Sequence, residues 1–298
     1  ATVDAGAAEA LSAVAEGRAR RLTLEMVATI ERRLDALRHL DDVMGGGELC
    51  RLAREEFELL SRLADEANYD EATGKRLFSA VAEAARICGW VHHDNGLNAA
   101  AQKYFVTGLR ASATAGDVAV GAGILSYLGR QAYTVGDPQD AVALLEAAQG
   151  QTRNRLTPQA QAILHARTAR AYAATSYGRY AAARELEKAR DALAKGPHDD
   201  DPPWSYWLTP WELEMMAGSA ALALGDPRRA LRFFATARSM GSSADTYVRA
   251  DAVYLVRIAK THLILGEIDE ACGVARQALT KGRSVNSVQY SDALADFR

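Results

Sequence analysis

Apolar residues recur at intervals of three and four along most of the chain. From Leu24 they run Leu24, Val27, Ile30, Leu34, Leu37 and Leu40, which is one face of a helix. Leu49, Leu52, Leu59, Leu60 and Leu63 predict a second helix, with Gly45-Gly46-Gly47 as the break between the two. Asp70 is placed to cap a third, from about Glu71 to His93. Four further starts are marked by an N-cap residue before a proline: Asp137-Pro138, Thr157-Pro158, Thr209-Pro210 and Asp226-Pro227. Thr209 also has Glu212 three residues on, a capping box. The acidic, proline-rich stretch from Pro197 to Pro203 reads as a loop. No β-branched run bounded by turn signals predicts a strand. The pattern predicts an all-α chain.

The helices repeat. Gly96, Gly136, Gly178, Gly225 and Gly266 each stand between a helix and an Ala-rich helix, at roughly 40-residue intervals. Seven residues before each glycine comes a small residue: Gly89, Gly129, Ala171, Gly218 or Ala259. Five after it comes Ala101, Ala141, Ala183, Ala230 or Ala271, and nine after it Phe105, Leu145, Glu187, Phe234 or Ala275. Small residues on facing helices let a hairpin close tightly, the glycine takes the turn, and a large apolar residue fills the layer below. The third repeat departs: Leu186 and Ala189 carry the pattern one residue early, so its hairpin loop is expected to be one residue shorter.

Composition narrows the class. Hydrophobic residues are 49% of the 298 and charged residues 24%, as in an ordinary folded protein. The net charge of −3 excludes a chain that is basic as a whole and binds nucleic acid on that account. Cys50, Cys88 and Cys272 form no CxxC pair, which argues against a disulfide framework or zinc ribbon and suits a reducing, cytoplasmic setting. No apolar run reaches a membrane span. GxSxG, HExxH, GxxxxGK[ST] and GxGxxG are all missing, so no catalytic residue is assigned and the chain is not read as an enzyme. No cofactor is implied. His92-His93-Asp94 suggests a metal only weakly, because neighbours on a helix point apart.

The spacing of small residues resembles the tetratricopeptide repeat, with longer units. Further phrases carry a second likeness: Leu34-Asp35 to Asp41-Asp42, Tyr69-Asp70-Glu71-Ala72-Thr73-Gly74, Ala82 to Gly89-Trp90, Ala100-Ala101-Gln102-Lys103-Tyr104, and Asp200-Asp201-Pro202-Pro203-Trp204 with Tyr206-Trp207. Together they resemble the C-terminal tetratricopeptide-repeat region of helix-turn-helix (Cro/repressor-type) transcriptional regulators from high-GC Gram-positive bacteria. That resemblance implies an α-solenoid: N-terminal helices over residues 1–70 that cap the array or link to a DNA-binding domain, then the repeat array over 71–298. No helix-turn-helix is visible before residue 25, so DNA contact is expected only through an N-terminal domain outside this chain, and the chain reads as the regulatory part of a larger protein.

The resemblance also says which positions face a concave groove. In the first hairpin these are Glu83, Arg86, Trp90 and His93, then Tyr127, Arg130 and Tyr133, then His165 and Tyr172. The fourth offers Met215 and Met216, and the fifth Arg257 and Lys260. Arginine grips carboxylates bidentately, aromatics give rigid contact area and methionine adapts to irregular shapes, so the set suits a peptide, protein or small-molecule effector. The competing reading of the same aromatics is packing between hairpins. Trp204, Tyr206, Trp207 and Trp211 are expected to pin the 197–203 loop onto the array. The rival function is a dimerising or scaffolding array, with the Leu24 to Leu40 face as its interface.

Overall fold

The chain enters helices at the capping residues the sequence marks. The computed structural model describes residues 9, 11–14, 21–43, 47–240, 248–283 and 287–297. Its helices are α1 (Leu24–Val43), α2 (Gly47–Glu66), α3 (Glu71–Asp94), α4 (Asn98–Ala115), α5 (Val118–Val135), α6 (Pro138–Gln151) and α7 (Pro158–Ala173). They continue as α8 (Arg179–Leu193), α9 (Pro210–Ala223), α10 (Pro227–Ser239), α11 (Val248–Ile264), α12 (Ile268–Gly282) and α13 (Val288–Phe297). A 3-10 turn, Pro203–Ser205, lies between α8 and α9. Asp70 accepts from the Thr73 amide at 2.8 Å, Thr209 from Glu212 at 3.2 Å and Asp226 from Arg229 at 3.1 Å, each satisfying an orphan first-turn donor. Among the described residues there is no strand; Arg21 and Asn68 make an isolated bridge.

Neighbouring helices pack in pairs: α3 with α4, α5 with α6, α7 with α8, α9 with α10 and α11 with α12. The five repeat glycines fall in the five links. Gly225 and Gly266 take φ of +71° and +78°, which a side chain would resist. The small positions are small because the partner helix fills the space. A Cβ on Gly89 would stand 2.3 Å from the Phe105 ring, one on Gly129 2.6 Å from Leu145, and one on Gly218 2.4 Å from Phe234. In the third pair Ala182, Leu186 and Ala189 are buried, so the register is one residue early, as the pattern predicts. The link itself, Ala174 to Gly178, is not shorter than expected but longer than those of the other pairs, because α7 ends at Ala173, well before the glycine.

The first two helices do not form a sixth pair of this kind. α1 and α2 touch each other little and both lie against α3. Val27, Ile30 and Leu34 are buried in the main core, so the apolar face of α1 is occupied within the chain, although Leu24 at its start is exposed. Gly45 and Gly46 lie outside the described residues; Gly47 is the first residue of α2. Trp204 is 2% exposed and packs against Gly123 on α5, which pins the loop as the aromatic cluster suggests. No described helix is long and apolar enough to cross a membrane.

Candidate functional site

A cavity of about 140 Å³ opens among the first helices of all five pairs. α3 contributes Arg86 and Trp90, α5 Tyr127 and Arg130, α7 Arg167, α9 Trp211 and Glu212, and α11 Arg249, Tyr254 and Arg257. Arg86 and Trp90, Tyr127 and Arg130, and Tyr254 and Arg257 are three or four apart and so share a helix face. No described residue of α4, α6, α8, α10 or α12 lines it. α1 closes one side with Arg38, Asp41 and Asp42, and the loop before α9 another with Trp204, Tyr206 and Trp207. All four tryptophans of the chain line this one cavity.

Two ion-pair networks build the α1 and α3 wall. The Glu83 carboxylate accepts from Arg86 Nε and Nη2 at 2.8 Å each and from Arg38 Nη1 at 2.6 Å. Burial alone would raise the Glu83 carboxyl, but the Arg86 and Arg38 guanidiniums hold it below the usual range. Arg249 donates both Nη groups to Asp41 at 2.9 Å and one to Asp94 at 3.3 Å. Trp90 Nε1 donates to Asp41 at 2.6 Å. Burial opposes ionisation of Asp41, but Arg249 and Trp90 overcome it and keep the carboxyl low. Nearby, Tyr206 donates to Asp42 at 2.7 Å and stacks on His39 at 4.8 Å, so the loop is bound to α1 from 164 residues away.

The wall formed by α5, α7, α9 and α11 is different. Arg130 lies over the Trp90 ring at 4.8 Å, Arg167 over Trp207 at 4.7 Å, and Arg257 over Tyr254 at 5.3 Å. Arg170, one turn on from Arg167, faces Tyr133 at 5.8 Å. Burial would raise the Tyr133 phenol, but the charges of Arg167, Arg130 and Arg170 bring it down to about 8. Burial, then the charges of Arg257 and Arg130, pushes Arg170 down to about 10. Among the described residues the local carboxylate is Glu212, which accepts from the Tyr254 hydroxyl and is raised by burial. Arg167 donates to Tyr133 at 3.2 Å, and Arg257 to Ser219 at 3.0 Å. Among the described residues of this wall, Arg167, Arg170 and Arg257 stand beside one carboxylate, Glu212.

The comparisons with known proteins come back empty. No family model, curated protein or solved structure matches this chain.

The sequence-predicted groove residues do not all come together. Arg86, Trp90, Tyr127, Arg130 and Arg257 line the cavity, and Tyr133 touches it through Arg167. Glu83 stands behind Arg86 as its counter-ion. His93 is buried and hydrogen-bonded to Asn98 at 2.7 Å, while His92 meets the Cys88 carbonyl and Asp94 meets Arg249. Met215 and Met216 lie in the apolar core, 1% and 3% exposed. His165 and Tyr172 line a separate open cleft of about 660 Å³, where they bond Glu185 and Glu146. Lys260 pairs with Asp296 on α13. The residues that the spacing did not single out are Arg38, Asp41, Arg167, Arg170, Arg249 and Tyr254. Arg167 and Arg170 carried a signal, being arginines on the apolar-periodic face of α7. Arg249 carried none, since its partner is 208 positions away.

Proposed function

We propose that this chain is the ligand-sensing repeat domain of a transcriptional regulator, built as a tetratricopeptide-like superhelical array whose concave side is the central cavity. The observation that carries this reading is the cavity's lining. The first helix of every pair, and among the described residues not the second, contributes to one space lined by arginines and aromatics. Residues that served packing alone would be apolar, because a buried cation is retained only against a partner. Helix faces that converge on one space are also well suited to report its occupancy: a ligand that prefers one curvature of the array shifts the population toward it. The loop and α11 join α1 across the cavity, so that shift reaches the N-terminal helices, where the resemblance expects a DNA-binding domain. The rival reading, a dimerising scaffold, drew on the apolar face of α1, and the burial of Val27, Ile30 and Leu34 inside the chain removes that support.

Native mass spectrometry of the protein purified from a bacterial cell extract tests the proposal. A small mass or peptide that stays bound through desolvation supports it. A chain that emerges with nothing bound, alone or as a clean dimer, favours the scaffold.

A further inference from the structure

The two halves of the cavity wall are balanced differently. Arg86 and Arg249 are matched by Glu83, Asp41 and Asp94 at hydrogen-bonding distance. Asp42 is engaged by Tyr206. Among the described residues, that leaves Glu212 as the carboxylate beside Arg167, Arg170 and Arg257. Grouping three guanidiniums around one carboxylate away from water is unfavourable unless something else supplies negative charge.

A second observation points the same way. Several buried atoms at the cavity wall have no hydrogen-bond partner among the described residues, and they are donors: Arg38 Nε, Arg167 Nε, Trp204 Nε1 and Trp207 Nε1. Arg167 is 4% exposed, so bulk water does not serve it. A wall with spare donors and spare positive charge is complementary to an acceptor-rich anion. The tryptophans and tyrosines between the arginines offer flat apolar faces. The volume of about 140 Å³ holds on the order of ten waters, which suits a compact body better than an extended chain of residues.

We propose that the central cavity binds a compact aromatic anion, its carboxylate or phosphate held by Arg167 and Arg257, with the charge of nearby Arg170 adding to theirs, and its ring laid against the tryptophan-lined wall. This rests on the ligand-sensing reading of the same cavity and narrows it to one chemical class. Glu212 sets the strength of binding, because its charge competes with the ligand for the same arginines.

The test uses phenyl phosphate and benzoate as probes and benzyl alcohol as the neutral control. Binding is followed by calorimetry and by tryptophan emission, which reports on the cavity because every tryptophan lines it. The expected result is one saturable site for an anion, with benzyl alcohol at least about tenfold weaker. The tighter of the two anions identifies the head group. Arg167→Met should weaken the anion by about tenfold or more without lowering the unliganded melting temperature, since it removes one of several like charges. Glu212→Gln should tighten the anion several-fold, so a gain is measurable even if the Arg167 variant folds poorly. Equal binding of benzyl alcohol, or weaker anion binding by Glu212→Gln, overturns the proposal. If neither probe binds while a peptide or neutral compound co-purifies, the anion assignment fails and the sensing reading stands. If neither probe binds and nothing co-purifies, both fail.

Discussion

Arg249 on α11 and Asp41 on α1 form a bidentate ion pair across 208 residues, both Nη groups at 2.9 Å from the carboxylate. Asp94 joins at 3.3 Å, so one guanidinium holds α11, α1 and α3 together at the rim of the cavity. Arg249 is raised further above its already high range: burial works against its charge, but Asp41 and Asp94 more than compensate. The pair is what converts a row of hairpins into a space with walls on several sides.

Replacing Arg249 with Ala leaves two buried carboxylates without their cation. We expect a loss of about 3–5 kcal/mol, measured by urea unfolding. Arg249→Lys should fall in between, because a point charge cannot match the two-pronged contact. A loss below about 0.5 kcal/mol for the Ala variant would mean that the clasp is a surface pair.

His93 gives the fold a pH dependence of known sign. Burial and then the charge of Arg130 bring the imidazole down to about 4, while Asn98 holds its Nδ1. The unfolded chain takes up the proton first, near 6.5, so the native state loses stability as pH falls from about 6.5 toward 4. The full effect is about 3 kcal/mol. His93→Gln should flatten that part of the stability profile, read from melting temperatures across the range. An unchanged slope would show that another group carries it.

The packing of the hairpins predicts opposite effects for two glycines within helices. Gly129→Leu drives a side chain into Leu145 and should cost about 1–3 kcal/mol. Gly273→Ala, inside α12 with nothing within 4 Å of the new Cβ, should stabilise by about 0.5–1 kcal/mol. Thermal unfolding of the two variants checks both signs.

Tyr133 should ionise below the usual tyrosine range. Three arginines bring its phenol to about 8, so absorbance at the phenolate band should show one of the eleven tyrosines titrating there. Arg167→Met should move that step upward, since it removes the largest of the three charges. A first phenolate step near 10 in the unaltered protein would place Tyr133 outside the arginine cluster.

The hairpins were legible because their determinants are local. Gly89 and Phe105, or Gly218 and Phe234, stand sixteen residues apart on adjacent helices. Their sizes are coupled by direct contact, so the pattern repeats with the fold. Even the shifted register of the third pair shows in Leu186 and Ala189. The cavity was half legible. Arg86, Trp90, Tyr127, Arg130 and Arg257 follow from the helical face they share, and their neighbours on that face point the same way. Met215 and Met216 were not separable from groove residues, because α9 is apolar nearly all round and spacing cannot say which side meets the core. The clasp was illegible: nothing within α1 or α11 marks Asp41 and Arg249 as partners until the intervening hairpins bring them together.

The most direct test of the account is hydrogen exchange on the protein with and without saturating phenyl phosphate. If the cavity is the ligand site and its walls move as one, protection should rise together in α5, α7 and α11, in the segment from Trp204 to Thr209, and in α1 at the Arg249 clasp. Protection that stays unchanged in these elements, or rises only around the cleft of His165 and Tyr172, would contradict it.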